Sequence, residues 1–530
     1  MAAVAHVLID GGWRETLDAR GSFHAENPAT GEAIDGDFPV SGDADVEAAL
    51  TAAGKVATEL AATPPERIAA FLDAYADGIE AAAAELVALA HAETALPAET
   101  RLAKGELPRT SGQLRQAADA VRRYGWTQPV IDTAAGLRSH LAPLHKPVLV
   151  FGPNNFPYAF NAIAGSDFAS AIAARNPVIA KAHPSHPHTS RRLAEIAHRA
   201  LVASGLPPAS VQMLYHFDAT LGLRLCGDSR LGAIGFTGSR AGGLAIKAAA
   251  DHAGIPAYVE LSSVNPVFLL PGALAERGPA LAEEFFASCT MGSGQFCTNP
   301  GVVVVPAGAA GDAFVEAARA RFDAAPAAVM FSRGVLDHLA RNVDTLRSAG
   351  ATCLAGGRSG NGPGYRYHPT LLAIDAAQFL RDPATLQTEA FGPASLLVRA
   401  ADADAMVALA SAFEGNLTGT LYRASDGRDD ATWRRVAAAL RPRVGRLIGD
   451  RMPTGVAVSP AMNHGGPYPS TGHPGFTAVG MPAAIRRFAA LHCYDHVPEA
   501  LLPPELRNRN PGGVARLVDG AWSEADLEDA

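Results

Sequence analysis

The chain has 530 residues, 18% of them charged and 48% hydrophobic, with a formal net charge of −9. That length carries two or three domains with large cores, and that balance excludes a disordered chain. The acidic surplus and the absence of any long Lys/Arg run exclude a nucleic-acid partner, because phosphate binding needs a concentrated basic surface.

The five cysteines, Cys226, Cys289, Cys297, Cys353 and Cys493, are scattered and never form a C-x-x-C pair. Neither a disulfide framework nor a metal site is expected, and a reducing cytoplasm fits best. The opening MAAVAHVLIDGGW has no basic region followed by an apolar one, so no signal peptide is expected. The uncharged run from Phe285 to Gly311 mixes Ser, Thr, Gln, Asn, Pro and Gly, which a lipid-facing helix would not carry together. A soluble cytoplasmic protein with no membrane partner is the expectation.

In chain order, the first 60 residues read as short strands and turns, punctuated by Gly11, Gly12 and the Asn27–Glu32 turn. From Glu66 the apolar positions Ile68, Phe71, Leu72, Tyr75, Ile79, Leu86 and Leu89 predict one long amphipathic helix entered through Pro64 and Pro65. A polar helical segment follows from about Gly112 to Arg123, and Trp126 to Leu144 reads as a hairpin.

Then come five short apolar runs: Pro147–Gly152, Val178–Lys181, Val211–Leu214, Leu231–Phe236 and Ala257–Leu261. Helix-compatible stretches such as Ala159–Ala174 and His188–Ala203 separate them. This alternation predicts a doubly wound parallel sheet buried on both faces, with ligands beyond the carboxyl ends of its strands. A second α/β region follows residue 263, with strands at Pro266–Leu270, Gly301–Val305 and Ser395–Arg399, a helix at Asp312–Phe322 and a glycine-rich loop at Gly356–Gly364. The last 30 residues, ending in Glu524, Asp526, Glu528 and Asp529, read as a tail with little core of its own.

The strand ends carry chemistry. Asn154 and Asn155 follow the first strand, Lys181 and His183 the second, Thr237-Gly238-Ser239 the fourth, and Glu260 ends the fifth. Downstream, the stretch Ser288–Pro300 (SCTMGSGQFCTNP) sets Cys297 in a glycine-rich run suited to presenting a nucleophile; the other reading of Cys297 is a buried small hydrophobe. Oxidising an aldehyde covalently needs a thiolate, donors for an oxyanion, a hydride acceptor and a base that activates water. Cys297, the Asn155 amide with the Cys297 N–H, and Glu260 fill the protein's share of that set. Lys181 and the Gly238-Ser239 turn would hold a nucleotide. Taken singly, Asn155 could shape a turn, Glu260 could be an ordinary strand-end charge, and Gly238–Gly243 could be an ordinary helix start.

With these residues in view, the chain resembles the aldehyde dehydrogenase superfamily from about Asn27 to Tyr494. Pro153-Asn154-Asn155-Phe156-Pro157 stands for P-W-N-F-P, Phe236–Ser239 for F-T-G-S, Glu260-Leu261 for the E-L-G-G glutamate, Gly294–Cys297 for G-Q-x-C, and Glu389–Pro393 for E-x-F-G-P. The resemblance implies an aldehyde dehydrogenase-like α/β fold: a cofactor-binding domain at 1–125 and 146–262, a catalytic domain at 263–465, an oligomerisation arm at 126–145 and 466–500, and the tail at 501–530. The arm implies a homodimer or homotetramer. It further implies that Cys297, Glu260 and Asn155 are catalytic, and that Pro153, Lys181, His183, Thr237, Gly238, Ser239, Gly243, Glu389 and Phe391 hold the dinucleotide.

Within the superfamily, the stretches Lys181–Ser190, Ser262–Pro271, Met291–Gly301 and His464–Gly472 are similar to a branch containing NADP-dependent 2-oxoglutarate semialdehyde dehydrogenases and a bacterial long-chain aldehyde dehydrogenase. Pro184 stands where NAD-preferring relatives place an acidic residue on the adenosine ribose. The expected cofactor is therefore NADP, with NAD possible. The expected substrate is 2-oxoglutarate semialdehyde, its distal carboxylate met by Arg109 or Arg115, with Phe156 and His464 at the mouth of the site. The alternative is a long-chain or broad-specificity aliphatic aldehyde dehydrogenase. No metal is expected.

Overall fold

The five apolar runs between residues 147 and 261 fold as consecutive parallel strands, Val148–Phe151, Val178–Lys181, Val211–Leu214, Ala233–Thr237 and Ala257–Glu260. The structure is a computed structural model that describes residues 4–123 and 125–527. The first three strands run outward in order on one side, and the last two lie on the other side of Val148–Phe151. The order therefore reverses between Val148–Phe151 and Ala233–Thr237, and the carboxyl ends of those two strands bring Asn155 and Ser239 to the same edge. Two short N-terminal strands, Val7–Ile9 and Gly12–Arg14, extend the far edge antiparallel.

Residues after 263 build a second seven-stranded sheet. Val267–Leu269, Val302–Pro306 and Ala394–Ala400 match the sequence expectation closely. Thr370–Asp375, Asn416–Tyr422 and Val444–Gly449 join them in parallel, and only Thr352–Ala355 pairs antiparallel. A third sheet contains the expected hairpin, Val130–Asp132 with Leu137–Pro143, and adds Ala489–Asp495 along its outer edge.

Four expectations are corrected. Residues 43–62, read as strands and turns, form the helix Asp43–Ala62, whose alanines offered no strong apolar period. The single long helix from Glu66 is two, Pro65–Ala81 and Ala83–Thr94, broken at Ala82 (φ −95°, ψ 13°). Alanine accepts either state, so packing decides: the first helix lies on Leu107–Arg122 and Pro187–Ser204, and the second turns to follow Pro187–Ser204. The polar helical segment starts earlier, at Leu107.

The tail is not loose. Arg516–Val518 pairs parallel with Val130–Asp132, Ala521–Ser523 closes the sheet edge, Arg516 is fully buried, and Glu505 contacts His140 at 2.9 Å. Few apolar residues mark the segment, because buried polar pairs and sheet hydrogen bonds hold it in place. Glu528 and Asp529 lie outside the described residues.

Candidate active site

Cys297 leaves the helix Pro271–Thr290 through a tight loop in which Gly292, Ser293 and Gly294 take left-handed φ of 55°, 59° and 69°. A Cβ on Gly294 would stand 2.3 Å from the Gly392 carbonyl carbon, so only glycine fits there. Asn265, also left-handed at φ 48°, donates Nδ2 to the carbonyls of Cys297 and Asn299, each at 2.9 Å. The backbone carrying the thiol is therefore held from both sides. Cys289, the penultimate residue of that helix, is fully buried, and burial pushes its thiol up to about 12, which makes it unreactive.

The Cys297 Sγ lies 3.4 Å from His464 Nε2, and the same nitrogen lies 3.0 Å from Glu260 Oε1. Burial first, and then the neighbouring Glu260 carboxylate, push the Cys297 thiol well above its ordinary range, while Arg109 acts in the opposite direction. As a candidate nucleophile, Cys297 thus rests as a thiol that needs a proton acceptor, and His464 is within reach. His464 had been expected only at the mouth of the site. It stands instead between Cys297 and the carboxylate, and its backbone N–H donates to Thr477 Oγ1 at 3.0 Å. Glu260 is 1% exposed, yet neither oxygen makes a well-formed hydrogen bond. Buried carboxylate oxygens seldom lack partners, so these are available to a water or a ligand.

Asn155 Nδ2 donates at 3.1 Å to the carbonyl of Gln295, two residues before Cys297, which aims the amide at the nucleophile loop. Arg101 donates to the Asn155 carbonyl at 3.1 Å and pairs with buried Glu106. One Glu106 oxygen in turn accepts from the N–H groups of Tyr158 and Ala159, at 2.8 and 2.9 Å. Arg101 and Glu106 fasten this loop, and nothing in their local sequence signals it, because they lie in a π-helical turn at Ala98–Glu106.

Phe156, Phe160, Phe296 and Phe476 form an apolar wall, with Phe156 edge-on to Phe160 and Phe296 at 5.1 and 5.5 Å. The Arg109 guanidinium lies 5.4 Å from the Phe156 ring and 5.1 Å from Phe160, whose ring stands 5.7 Å from His464. Its Nε and Nη2 are buried without a hydrogen-bond partner, and burial lowers its pKa against the opposing pull of Glu106 and Cys297. Arg115 is a correction. Six residues further along the same helix it is turned by about 240°, and it pairs on the surface with Asp77 and Glu80, each at 2.8 Å. A second, half-buried cation was missed altogether. Arg446 donates to the carbonyls of Pro453 and Gly455 at 3.2 Å and touches Met462, which packs on the phenylalanine wall. Its Nε has no partner.

At the other end of the site, Ser239 caps the helix Arg240–His252 by accepting from Gly242 N–H, and Gly243 lies so close to Leu261 that a Cβ would approach it to 2.2 Å. Lys181 has no hydrogen-bond or ion-pair partner among the described residues, and burial lowers its amine to about 8. An unpaired ammonium and a capped helix N-terminus at the carboxyl ends of one parallel sheet fit the phosphates and ribose of a dinucleotide. His183 is less simply cationic than its position suggested: burial, then His186 and Lys181, hold it well below its ordinary value. His216 beside it is lowered to about 4 by burial and then Lys181. His186 Nε2 lies 3.1 Å from the Pro153 carbonyl. Glu389 is raised to about 7 by burial against hydrogen bonds from Ser262 and the Ser263 N–H, and Phe391 lines the cavity beside it. A bound nicotinamide dinucleotide would supply the hydride acceptor here, with Lys181, Thr237, Gly238 and Ser239 on its phosphates and Glu389 on a ribose.

The aldehyde dehydrogenase family model matches residues 13–476. The chain belongs to the aldehyde dehydrogenase family. It is an NAD(P)-dependent oxidoreductase acting on aldehydes. Among curated relatives, it is 40% identical to alpha-ketoglutaric semialdehyde dehydrogenase 2 of Azospirillum brasilense, over 98% of this chain and 99% of that one. It is 35% identical to the alpha-ketoglutaric semialdehyde dehydrogenase of Acinetobacter baylyi, over 91% and 92%. Among solved structures, lactaldehyde dehydrogenase from Escherichia coli superposes with a TM-score of 0.79 at 22% identity, covering 93% of this aldehyde dehydrogenase and 98% of its neighbour. That likeness shows a shared fold. No helix among the described residues is long and apolar enough to cross a membrane.

Proposed function

We propose that this aldehyde dehydrogenase oxidises 2-oxoglutarate semialdehyde to the dicarboxylate, with NADP as its preferred acceptor. The observation that carries the reading is Arg109, a buried guanidinium with two unpaired donor nitrogens on the wall beside Cys297. A substrate carboxylate is the partner such a group lacks, and the printed names of the two relatives agree with it. Arg446 adds a half-buried cation against Met462 on the same wall.

In this reading His464 takes the Cys297 proton as sulfur attacks the aldehyde carbon, and the carbonyl oxygen gains charge between Asn155 Nδ2 and the Cys297 N–H. After oxidation to the thioester, Glu260 removes a proton from water, the water oxygen bonds to the acyl carbon, the carbon–sulfur bond breaks and the acid leaves. His464 returns the proton to sulfur. An intact Glu260 disfavours a CoA-acylating reaction, in which water must be kept from the thioester.

NADP is favoured because Pro184 offers no carboxylate against a 2′-phosphate, while Lys181 and the neighbouring imidazoles of His183 and His216 can pair with one. The edge strand Ala489–Asp495, with Leu491 71% exposed, supports assembly through the arm into a homodimer or homotetramer. Free cysteines throughout the described chain suit the cytoplasm. The phenylalanine wall supports a second substrate class, long aliphatic aldehydes. A panel of semialdehyde acids and aliphatic aldehydes, run separately with NADP and NAD, decides. Higher kcat/KM for aliphatic aldehydes would overturn the substrate assignment, and higher kcat/KM with NAD the cofactor assignment.

A further inference from the structure

Glu260, Cys297 and His464 are distant in sequence, yet one ligand atom from each, a carboxylate oxygen, Sγ and an imidazole nitrogen, lies within 4.8 Å of both others. We propose that this trio is also a divalent zinc site, whose occupation reversibly silences the enzyme. Around a tetrahedral Zn²⁺, with Zn–S near 2.3 Å and Zn–N and Zn–O near 2.0–2.2 Å, ligand atoms stand roughly 3.3–3.6 Å apart. The observed Sγ···Nε2 distance of 3.4 Å and Nε2···Oε1 distance of 3.0 Å are already close to that geometry.

A second observation points the same way. Both Glu260 oxygens are buried without a well-formed hydrogen bond, so the site holds acceptor capacity that the protein leaves unused. In turnover that capacity serves a water; an ion with a preference for S, N and O donors fits the same three atoms. Charge also matches. A thiolate and a carboxylate together neutralise the dication, which keeps the buried complex from carrying net charge, and a fourth position stays open to water as in three-ligand zinc sites. The ligands are harder than an all-thiolate set, so Co²⁺ should enter as well and report on the site. Forming the complex releases the Cys297 thiol proton, so occupation should weaken as pH falls.

The inference needs the three side chains together, not the substrate assignment, and its readout is independent of turnover. Chelator-treated full-length protein is titrated with Co²⁺ and, in competition with a chromophoric chelator, with Zn²⁺. The expected result is one ion per chain, a sulfur-to-cobalt charge-transfer band, and loss of that band in Cys297→Ser. His464→Gln should weaken binding by about tenfold or more. Cys493→Ser, which removes an exposed thiol beside His492, should leave the titration unchanged. In the unmodified chain, Zn²⁺ should protect Cys297 from iodoacetamide, read on its own peptide by mass spectrometry, and abolish turnover until a chelator is added. A band that survives Cys297→Ser, a band lost in Cys493→Ser, or Cys297 alkylation indifferent to zinc would each overturn the proposal.

Discussion

Two histidine–glutamate pairs in this molecule have nearly the same dimensions and opposite meanings. His464 and Glu260 lie 3.0 Å apart with side chains 1% exposed; His140 and Glu505 lie 2.9 Å apart with side chains 4% and 2% exposed. In the second pair the hydrogen bond is well formed and the carboxylate is satisfied. Burial raises the Glu505 pKa, but the His140 bond and further nearby donors outweigh it and leave the group below its ordinary value. In the first pair the carboxylate oxygens lack good hydrogen bonds, and a thiol sits 3.4 Å from the shared nitrogen. Distance and burial do not separate a structural pair from the one we propose to be catalytic. Unspent hydrogen-bonding capacity next to a nucleophile does.

The largest effect expected is at the sulfur itself. Cys297→Ala should reduce aldehyde-dependent NADPH formation by roughly 10⁴-fold or more, whereas Cys289→Ala should keep most of it. Substantial turnover in the first variant would remove Cys297 as nucleophile. Next comes the pair. Glu260→Gln should still give a burst of reduced cofactor, followed by a steady state slowed by about 10²–10⁴, and an unslowed steady state would take Glu260 out of deacylation.

Glu505→Gln, the matched change in the C-terminal tail, should leave kcat/KM unaltered and lower folding stability by about 1–3 kcal/mol. The sign with pH follows from the depressed Glu505 value. Its stabilisation is complete above the unfolded carboxyl value of about 4.3 and is lost as pH falls through the folded value. Thermal melts of wild type and variant should therefore differ at pH 7 and converge in acid.

Smaller effects test the substrate and cofactor ends. Arg109→Ala should raise KM for the semialdehyde acid by about 10–100-fold, as expected for a lost charge-assisted contact, without harming aliphatic aldehydes. Arg115→Ala should change KM by less than about twofold, as is usual for a surface ion pair. Equal effects of the two substitutions would sink the Arg109 assignment. Last, the ratio of NAD to NADP dissociation constants should grow as pH is lowered from 8 to 6. A bound 2′-phosphate favours protonated Lys181, whose amine lies at about 8, and beyond it protonated His183 and His216, while Glu389 affects both cofactors alike. A flat ratio would remove Lys181, His183 and His216 together as partners of the 2′-phosphate.

Several of these distinctions were legible before any coordinates. The strands Val178–Lys181 and Val211–Leu214 fall on the expected runs residue for residue, because a strand buried on both faces is mostly apolar, and the one polar residue inside them, Gln212, is buried with its amide bonded to Ala49. Asn155, Lys181, Ser239 and Glu260 were visible for the same reason, as polar residues at the ends of such strands. The break at Ala82 was not visible, because alanine fits both a helix interior and its boundary. The ordered tail was not visible either, since Arg516 and Glu505 look like surface charges until partners across the sheet bury them.

By itself, then, the sequence determined the parallel cofactor sheet, the glycine loop that presents Cys297 and the set of strand-end polar groups. All of these follow from local pattern: an apolar run, a positive φ that needs glycine, or a charge where a strand stops. Tertiary structure alone decided that Arg109 faces the nucleophile while Arg115 faces solvent. It alone brought Arg446 to the wall that Phe156 and Phe160 build nearly 300 residues earlier in the chain, and it alone set His464 between Cys297 and Glu260. Those outcomes depend on which elements pack together and on the turn of a helix, and side-chain direction across such distances is not written in any local run of residues.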